Sequence, residues 1–339
     1  MKNRGNYIRK TDISRPVNQV ETRCLIVYIL HSMWKQIKKH KFAYAFLAPT
    51  AVAMFFLHFL PIVQGIYMSF LQLDQFTISR YLLAPFVGFQ NYYNVLINAE
   101  SPIRLGLLEA IRNTVIYTVV VTLGTLWVGL LVALMVNRRF RGRAIVRTLF
   151  LFPWIVPTYV TGLLWGFMWQ RSIGIINIAL VDILHILPSK PFWLLGPNTL
   201  WAIIIPTIWR YWPLSMLMLL AGLQTIPDEL YEAADIDGAS PWRKFWMITF
   251  PLLKPVWAIL ILFGLIYNVY SFNIVIMMFG FGAGFPGQWG DLMMTDIFRN
   301  SFQRWDFGTG AATSVLLLIV MIGIVNIWFR YYKTSEEYR

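Results

Sequence analysis

The acidic side chains of this sequence are concentrated in one stretch. Between Pro227 and Pro251 stand five acids, Asp228, Glu229, Glu232, Asp235 and Asp237, followed by the cations Arg243 and Lys244. Pro227-Asp228 opens a first short helix, and Asp237-Gly238 closes it on a residue free to take positive φ. Ser240-Pro241 restarts a second helix, with an N-cap followed by proline at N1. An anionic helix joined to a cationic one makes a knob that another molecule can grip. On the residues alone, a solvated face carrying ordinary charges is an equal reading.

A second group lies in apolar surroundings. Arg210 sits in Trp209-Arg210-Tyr211-Trp212-Pro213, and Tyr267, Asn268, Tyr270, Ser271 and Asn273 fall within seven residues, with Asn268 and Ser271 on one helical face. Charged and polar groups within a membrane usually face a cavity. Aromatic rings beside amides and hydroxyls suit a sugar, whose C–H face stacks on a ring while its hydroxyls hydrogen-bond. Packing between helices, with Asn and Ser as polar glue, is the competing reading.

Reaction chemistry is sparse. No Gly-x-x-x-x-Gly-Lys-[Ser/Thr] loop occurs, and Gly308-Thr309-Gly310-Ala311-Ala312 lacks the lysine. His31, His40, His58 and His185 are scattered and Cys24 is single, so no catalytic residue and no metal site is assigned.

The elements that must hold these groups are membrane spans. Of 339 residues 58% are hydrophobic and 13% charged, against about 25% charged in a soluble protein. Six apolar segments of spanning length are expected at about 42–70, 113–136, 148–168, 200–223, 255–279 and 310–329. Twenty-one Lys and Arg fall on the side of the termini and seven on the other. The termini and the loop around Glu232 are therefore expected in the cytoplasm of a multi-pass cell-membrane protein. The net charge of +13 is mostly this topology signal and does not argue for nucleic acid. Residues 1–41 are a basic segment, read either as an interfacial helix around residues 25–30 or as a frayed tail. The expected membrane domain covers 42–332, with its loop at 227–251 and a tail at 333–339.

None of the six segments as drawn contains Asp or Glu, which argues against coupling to an ion gradient. Three classes stay open: a permease powered from outside the chain, an ion-coupled transporter or channel, and a membrane enzyme.

The island resembles the cytoplasmic signature of bacterial ABC importer permeases, in particular the sugar branch that includes the maltose permeases. That signature reads Glu-Ala-Ala, three residues, Gly, nine residues, Ile, one residue, Leu-Pro. Here it is Glu232-Ala233-Ala234, Gly238, Ile248 and Phe250-Pro251, departing only in Phe for Leu. Phe86 to Tyr92, Arg147-Thr148 with Pro153 and Pro157, Leu220 to Pro227, and Asp306-Phe307-Gly308 are similar to further family elements. The resemblance implies an all-α, six-span type I importer permease with a cytoplasmic coupling helix. It also implies a second permease, two ATPase subunits that carry the ATP and Mg, and an extracytoplasmic binding protein. Glu232, Ala233, Ala234, Asp235, Asp237, Gly238 and Arg243 would couple to the ATPase. Positions similar to sugar-contacting ones are Trp154, Thr158, Arg210, Tyr211, Gly264, Asn268 and Ser271.

Overall fold

The computed structural model describes residues 35, 38–138, 140–280 and 284–337. The expected interfacial helix around residues 25–30 lies outside them. Two compact units divide the chain, Met1–Gln64 and Gly65–Arg339. The first holds most of the 28-residue apolar helix α1 (Lys41–Met68), which is interrupted by a π-helical turn at Phe55–Phe59 that includes His58.

The second unit is organised around α2 (Pro102–Asn137), whose 36 residues extend about 54 Å at 1.5 Å per residue. That exceeds the ~30 Å hydrocarbon thickness of a bilayer. Measured back from Asn137, about twenty residues fill that thickness and roughly the first sixteen exceed it. Glu109, which this helix includes and the expected span from Asn113 did not, falls in that excess length.

Two other spans stand nearly as expected: α4 (Thr199–Leu223) and the long terminal helix described below. The third is broken, and a second bend lies just before the expected start of the fifth. The third runs Arg143–Ile155 and then turns by 86° into α3 (Thr158–Met168). The Asp228–Ile236 helix (α5) and the Pro241–Lys244 helix (α6) follow α4. The second of these continues to Leu252 and bends by 65° into α7 (Lys254–Val269). Each break falls on prolines four apart, Pro153 with Pro157 and Pro251 with Pro255. A helix pairs the carbonyl of residue i with the N–H of i+4, and proline has no N–H to offer. The pairing fails at both places, and the axis bends there.

The expected fifth span to residue 279 also ends early. α7 stops at Val269, and a separate helix α8 (Asn273–Met278) packs on α3. Small residues permit this contact: a Cβ at Gly162 would stand 2.6 Å from the Ile274 carbonyl, and one at Gly166 2.8 Å from that of Met278. Two short helices therefore take the place of one longer one.

Beyond the Pro102 end of α2 the chain forms caps. Asn91 is buried and donates to the carbonyls of Ser69 and Leu71, both at 2.9 Å. The last helix, α10 (Phe307–Glu337), is tied in by its first residue, whose N–H donates to Leu73 at 3.0 Å. Between α8 and α10 lies α9 (Met293–Phe298). Arg299 there bridges two buried carboxylates, Asp291 and Asp296.

Burial, with the neighbouring Asp291 charge second, pushes the Asp296 carboxyl up to about 6; burial also raises Asp291. The folded state thus holds a proton that an unfolded carboxyl releases near its ordinary 3.8. Stability is lost as pH rises between these values and stays lower above them. Asp296→Asn is expected to raise the unfolding temperature of the solubilised protein above about pH 7, and to lose that advantage toward pH 4. A lower unfolding temperature for the Asn variant at neutral pH would contradict this account.

Candidate substrate cavity and coupling loop

A cavity of about 420 Å³ opens between α2, α4, α7 and the bend of the third span. Trp154 and Thr158 reach it from the two sides of that bend. Tyr211 comes from α4, Gly264 and Asn268 from α7, and Ser271 from the break between α7 and α8. Tyr267, Tyr270 and Ser215 also line it. Six of the seven residues expected on the path are thus brought together from four separate segments. The bend of the third span and the gap between α7 and α8 both create cavity wall, because a continuous helix would carry these side chains onward along its own axis.

The polar wall is held by hydrogen bonds to α2. Asn268 is buried and donates from Nδ2 to Thr122 Oγ1 at 3.0 Å. The Ser271 hydroxyl lies 2.8 Å from that of Tyr117, which donates to Thr207 at 3.0 Å. Gly264 lets α7 approach α2, since a Cβ there would meet Thr122 at 2.8 Å. Its place on the wall is therefore also a packing requirement.

Arg210 departs from expectation: it does not line the cavity. It is 9% exposed, and Nη1 donates to the carbonyls of Pro153 (3.4 Å), Trp154 (3.1 Å) and Val156. Pro153 is the residue whose helical partner would have been Pro157. The guanidinium thus satisfies carbonyls orphaned at the broken helix end, where the helix dipole also favours a cation. The proline spacing is the signal in the sequence for this role, whereas a charge near mid-span points by itself to the path. Its ring neighbour Tyr211, 5.3 Å from the guanidinium carbon, is the one of the two that faces the cavity.

The loop at 227–251 folds as two short helices. α5 ends in a Schellman motif: Ala239 N–H donates to Ala234 at 2.9 Å and Gly238 N–H to Asp235 at 3.0 Å, with Gly238 at φ +68. Ser240 Oγ accepts from the Arg243 N–H at 3.3 Å and starts α6. Lys244 Nζ pairs with Asp235 at 2.6 Å, and the Tyr231 and Thr249 hydroxyls meet at 2.9 Å.

This loop has two faces. Inward, Ile226, Tyr231, Phe245, Ile248 and Leu253 pack into the core formed by Leu130, Ala133, Val136, Leu219 and Leu223 of α2 and α4. Outward, Glu232, Ala233, Asp235, Asp237, Gly238 and Arg243 are exposed, with Ala234 half-buried. Large apolar side chains accompany them: Ile236 is 88% exposed and Trp242 71%. The loop is thus a charged knob that carries exposed apolar side chains and is rooted at its base in the core of α2 and α4.

The model of the family of binding-protein-dependent transport system inner membrane components matches residues 125–334. The chain belongs to that family. The permease is 33% identical over 305 residues to the sulfoquinovosyl glycerol transport system permease protein of Agrobacterium fabrum, covering 89% of this chain and 94% of that one. It is 36% identical to the trehalose/maltose transport system permease protein of Thermococcus litoralis, covering 73% and 79%. Among solved structures it is similar to a bacterial ABC transporter involved in import of the acidic polysaccharide alginate. The TM-score is 0.73 at 22% identity, with 89% of this chain and 99% of that one covered. That likeness concerns the fold, which is the expected all-α, multi-span permease architecture.

Proposed function

We propose that this permease forms half of the translocation path for a sugar or sugar-like solute. Its route passes through the cavity walled by Trp154, Thr158, Tyr211, Gly264, Asn268 and Ser271. A binding protein outside the cytoplasmic membrane delivers the solute, and a second, different permease completes the path. Two ATPase subunits, holding the ATP and Mg, grip the loop around Glu232 from the cytoplasm, where both termini also lie. The chain itself hydrolyses nothing. Support comes from the twenty-one-to-seven bias of basic residues, from the exposed signature knob, and from relatives named for sugar-containing solutes.

The observation that carries the reading is the convergence of rings, hydroxyls and an amide on one cavity. Such groups recognise polyols, and a cavity of this size falls within the ~300–1,000 Å³ of small-molecule sites. In proteoliposomes of the complete transporter, uptake should require ATP and the binding protein. Tyr211→Ala or Ser271→Ala should lower it by more than about tenfold, the loss of one good contact of ~1.4 kcal/mol. Uptake driven by an ion gradient in vesicles of this chain alone would overturn the proposal.

A further inference from the structure

A second cavity, also about 420 Å³, has no part in the function described so far. Its walls come from residues 72–94 and from the turn 304–309 that enters α10. Both segments are packed at the Pro102 end of α2, since Val95 shares a core with Ile103 and Leu107. The coupling loop packs at the other end, around Val136. The cavity therefore stands at the face where solute would arrive.

Its lining is selective. Asp74 Oδ1 accepts the backbone N–H groups of Phe76 (2.8 Å) and Thr77 (3.0 Å), and the Phe76 bond above all holds this carboxyl below its ordinary value. Asp306 Oδ1 accepts the Thr309 N–H at 3.0 Å. Both carboxylates are thus fixed through one oxygen, and the second oxygen has no partner among the described residues. Gln90 donates to Asn94 Oδ1 at 3.3 Å, which leaves the Asn94 amide N–H groups to serve as donors.

Trp305 completes the lining, and its backbone is unusual. Its φ of +60 puts a bulky residue in the left-handed region, at a cost of order 1 kcal/mol. The N–H groups on either side keep it there: Arg304 donates to Arg299 at 3.1 Å and Asp306 to Asn300 at 3.2 Å. The indole stays half-exposed, edge-on to Phe307. Strain retained at an aromatic residue on a cavity rim points to a use for that ring.

We propose that this cavity is a second saccharide site, taking one neutral pyranose unit before it enters the membrane cavity. The ring's C–H face would lie on Trp305, its hydroxyls donating to Asp74 and Asp306 and accepting from Asn94. Two carboxylates against the single Arg304 disfavour phosphorylated or sulfonated solutes. The inference rests on the sugar reading above and extends it to a second place.

Trehalose and maltose serve as probes, with saturation-transfer NMR on the full chain in nanodiscs. Ring-proton signals should persist when the membrane cavity is altered by Ser271→Ala with Tyr211→Ala. They should fall about tenfold with Trp305→Ala and with Asn94→Leu; the second variant leaves the strained turn untouched and keeps the test valid if the first misfolds. Signals that survive both outer substitutions overturn the proposal, and so does a site that takes a lysine-rich peptide but neither disaccharide. If only the membrane-cavity variant loses signal, this site fails while the sugar reading stands. If neither probe binds any form, this site fails, and the uptake assay decides the sugar reading separately.

Discussion

Gly238→Asp abolishes uptake, by expectation, without unfolding the permease. A Cβ built at Gly238 meets no atom within 4 Å, so the chain itself has room for a side chain there. What the substitution costs internally is the positive φ of +68, about 1 kcal/mol and less for Asp than for most residues. A folded domain holds ~5–15 kcal/mol in reserve. The larger effect lies outside the chain, because the new carboxylate joins exposed Asp235 and Asp237 on the knob proposed to enter the ATPase. Co-purification should show the ATPase subunits lost from Gly238→Asp and retained by Gly238→Ala, which carries the φ cost without the charge. A Gly238→Asp complex with its ATPases bound and normal uptake would remove the coupling assignment.

Arg210→Ala is expected to have the second largest effect, through the bend that it braces. Three carbonyls, of Pro153, Trp154 and Val156, lose their donor. Each buried acceptor left unpaired costs ~1–3 kcal/mol. The bend carries Trp154 on one side and Thr158 on the other, so slackening it moves two cavity walls at once. Arg210→Lys restores a charge but not the planar fork that reaches several acceptors. It should recover part of the uptake, while Arg210→Met, of similar length and uncharged, should resemble Arg210→Ala. In each variant the ATPases should remain bound, because the coupling loop is rooted in the separate core around Leu253. Uptake by Arg210→Met equal to that of the unaltered permease would show that the bend needs no donor.

Much of the coupling loop is legible in the sequence for a local reason. Pro227, Gly238, Ser240 and Pro241 act on the backbone within one turn of themselves, so their consequences do not depend on distant contacts. The helix ends, the positive φ and the N-cap all stand where these residues put them. Span positions are similarly readable from apolar length, for α1, α2, α4 and α10. Hydropathy alone makes the third span continuous, because the residues on both sides of Pro157 are equally apolar, and for the same reason it runs α7 and α8 together as the fifth. The proline pairs are visible in the sequence. Their consequence depends on whether something satisfies the freed carbonyls, and for the third span that is Arg210 from another helix.

By itself the sequence determined an all-α membrane chain with a two-helix polar knob, since these follow from apolar run lengths and from caps that act locally. Only the tertiary structure decided which polar residues share a cavity. Asn268 and Ser271 are neighbours by spacing, but Trp154, Thr158 and Tyr211 join them because two helices break and α7 closes on α2 over Gly264. Arg210 looked like part of that path as an intramembrane charge. Packing turned it toward three carbonyls instead, because a buried cation settles where acceptors have lost their donors.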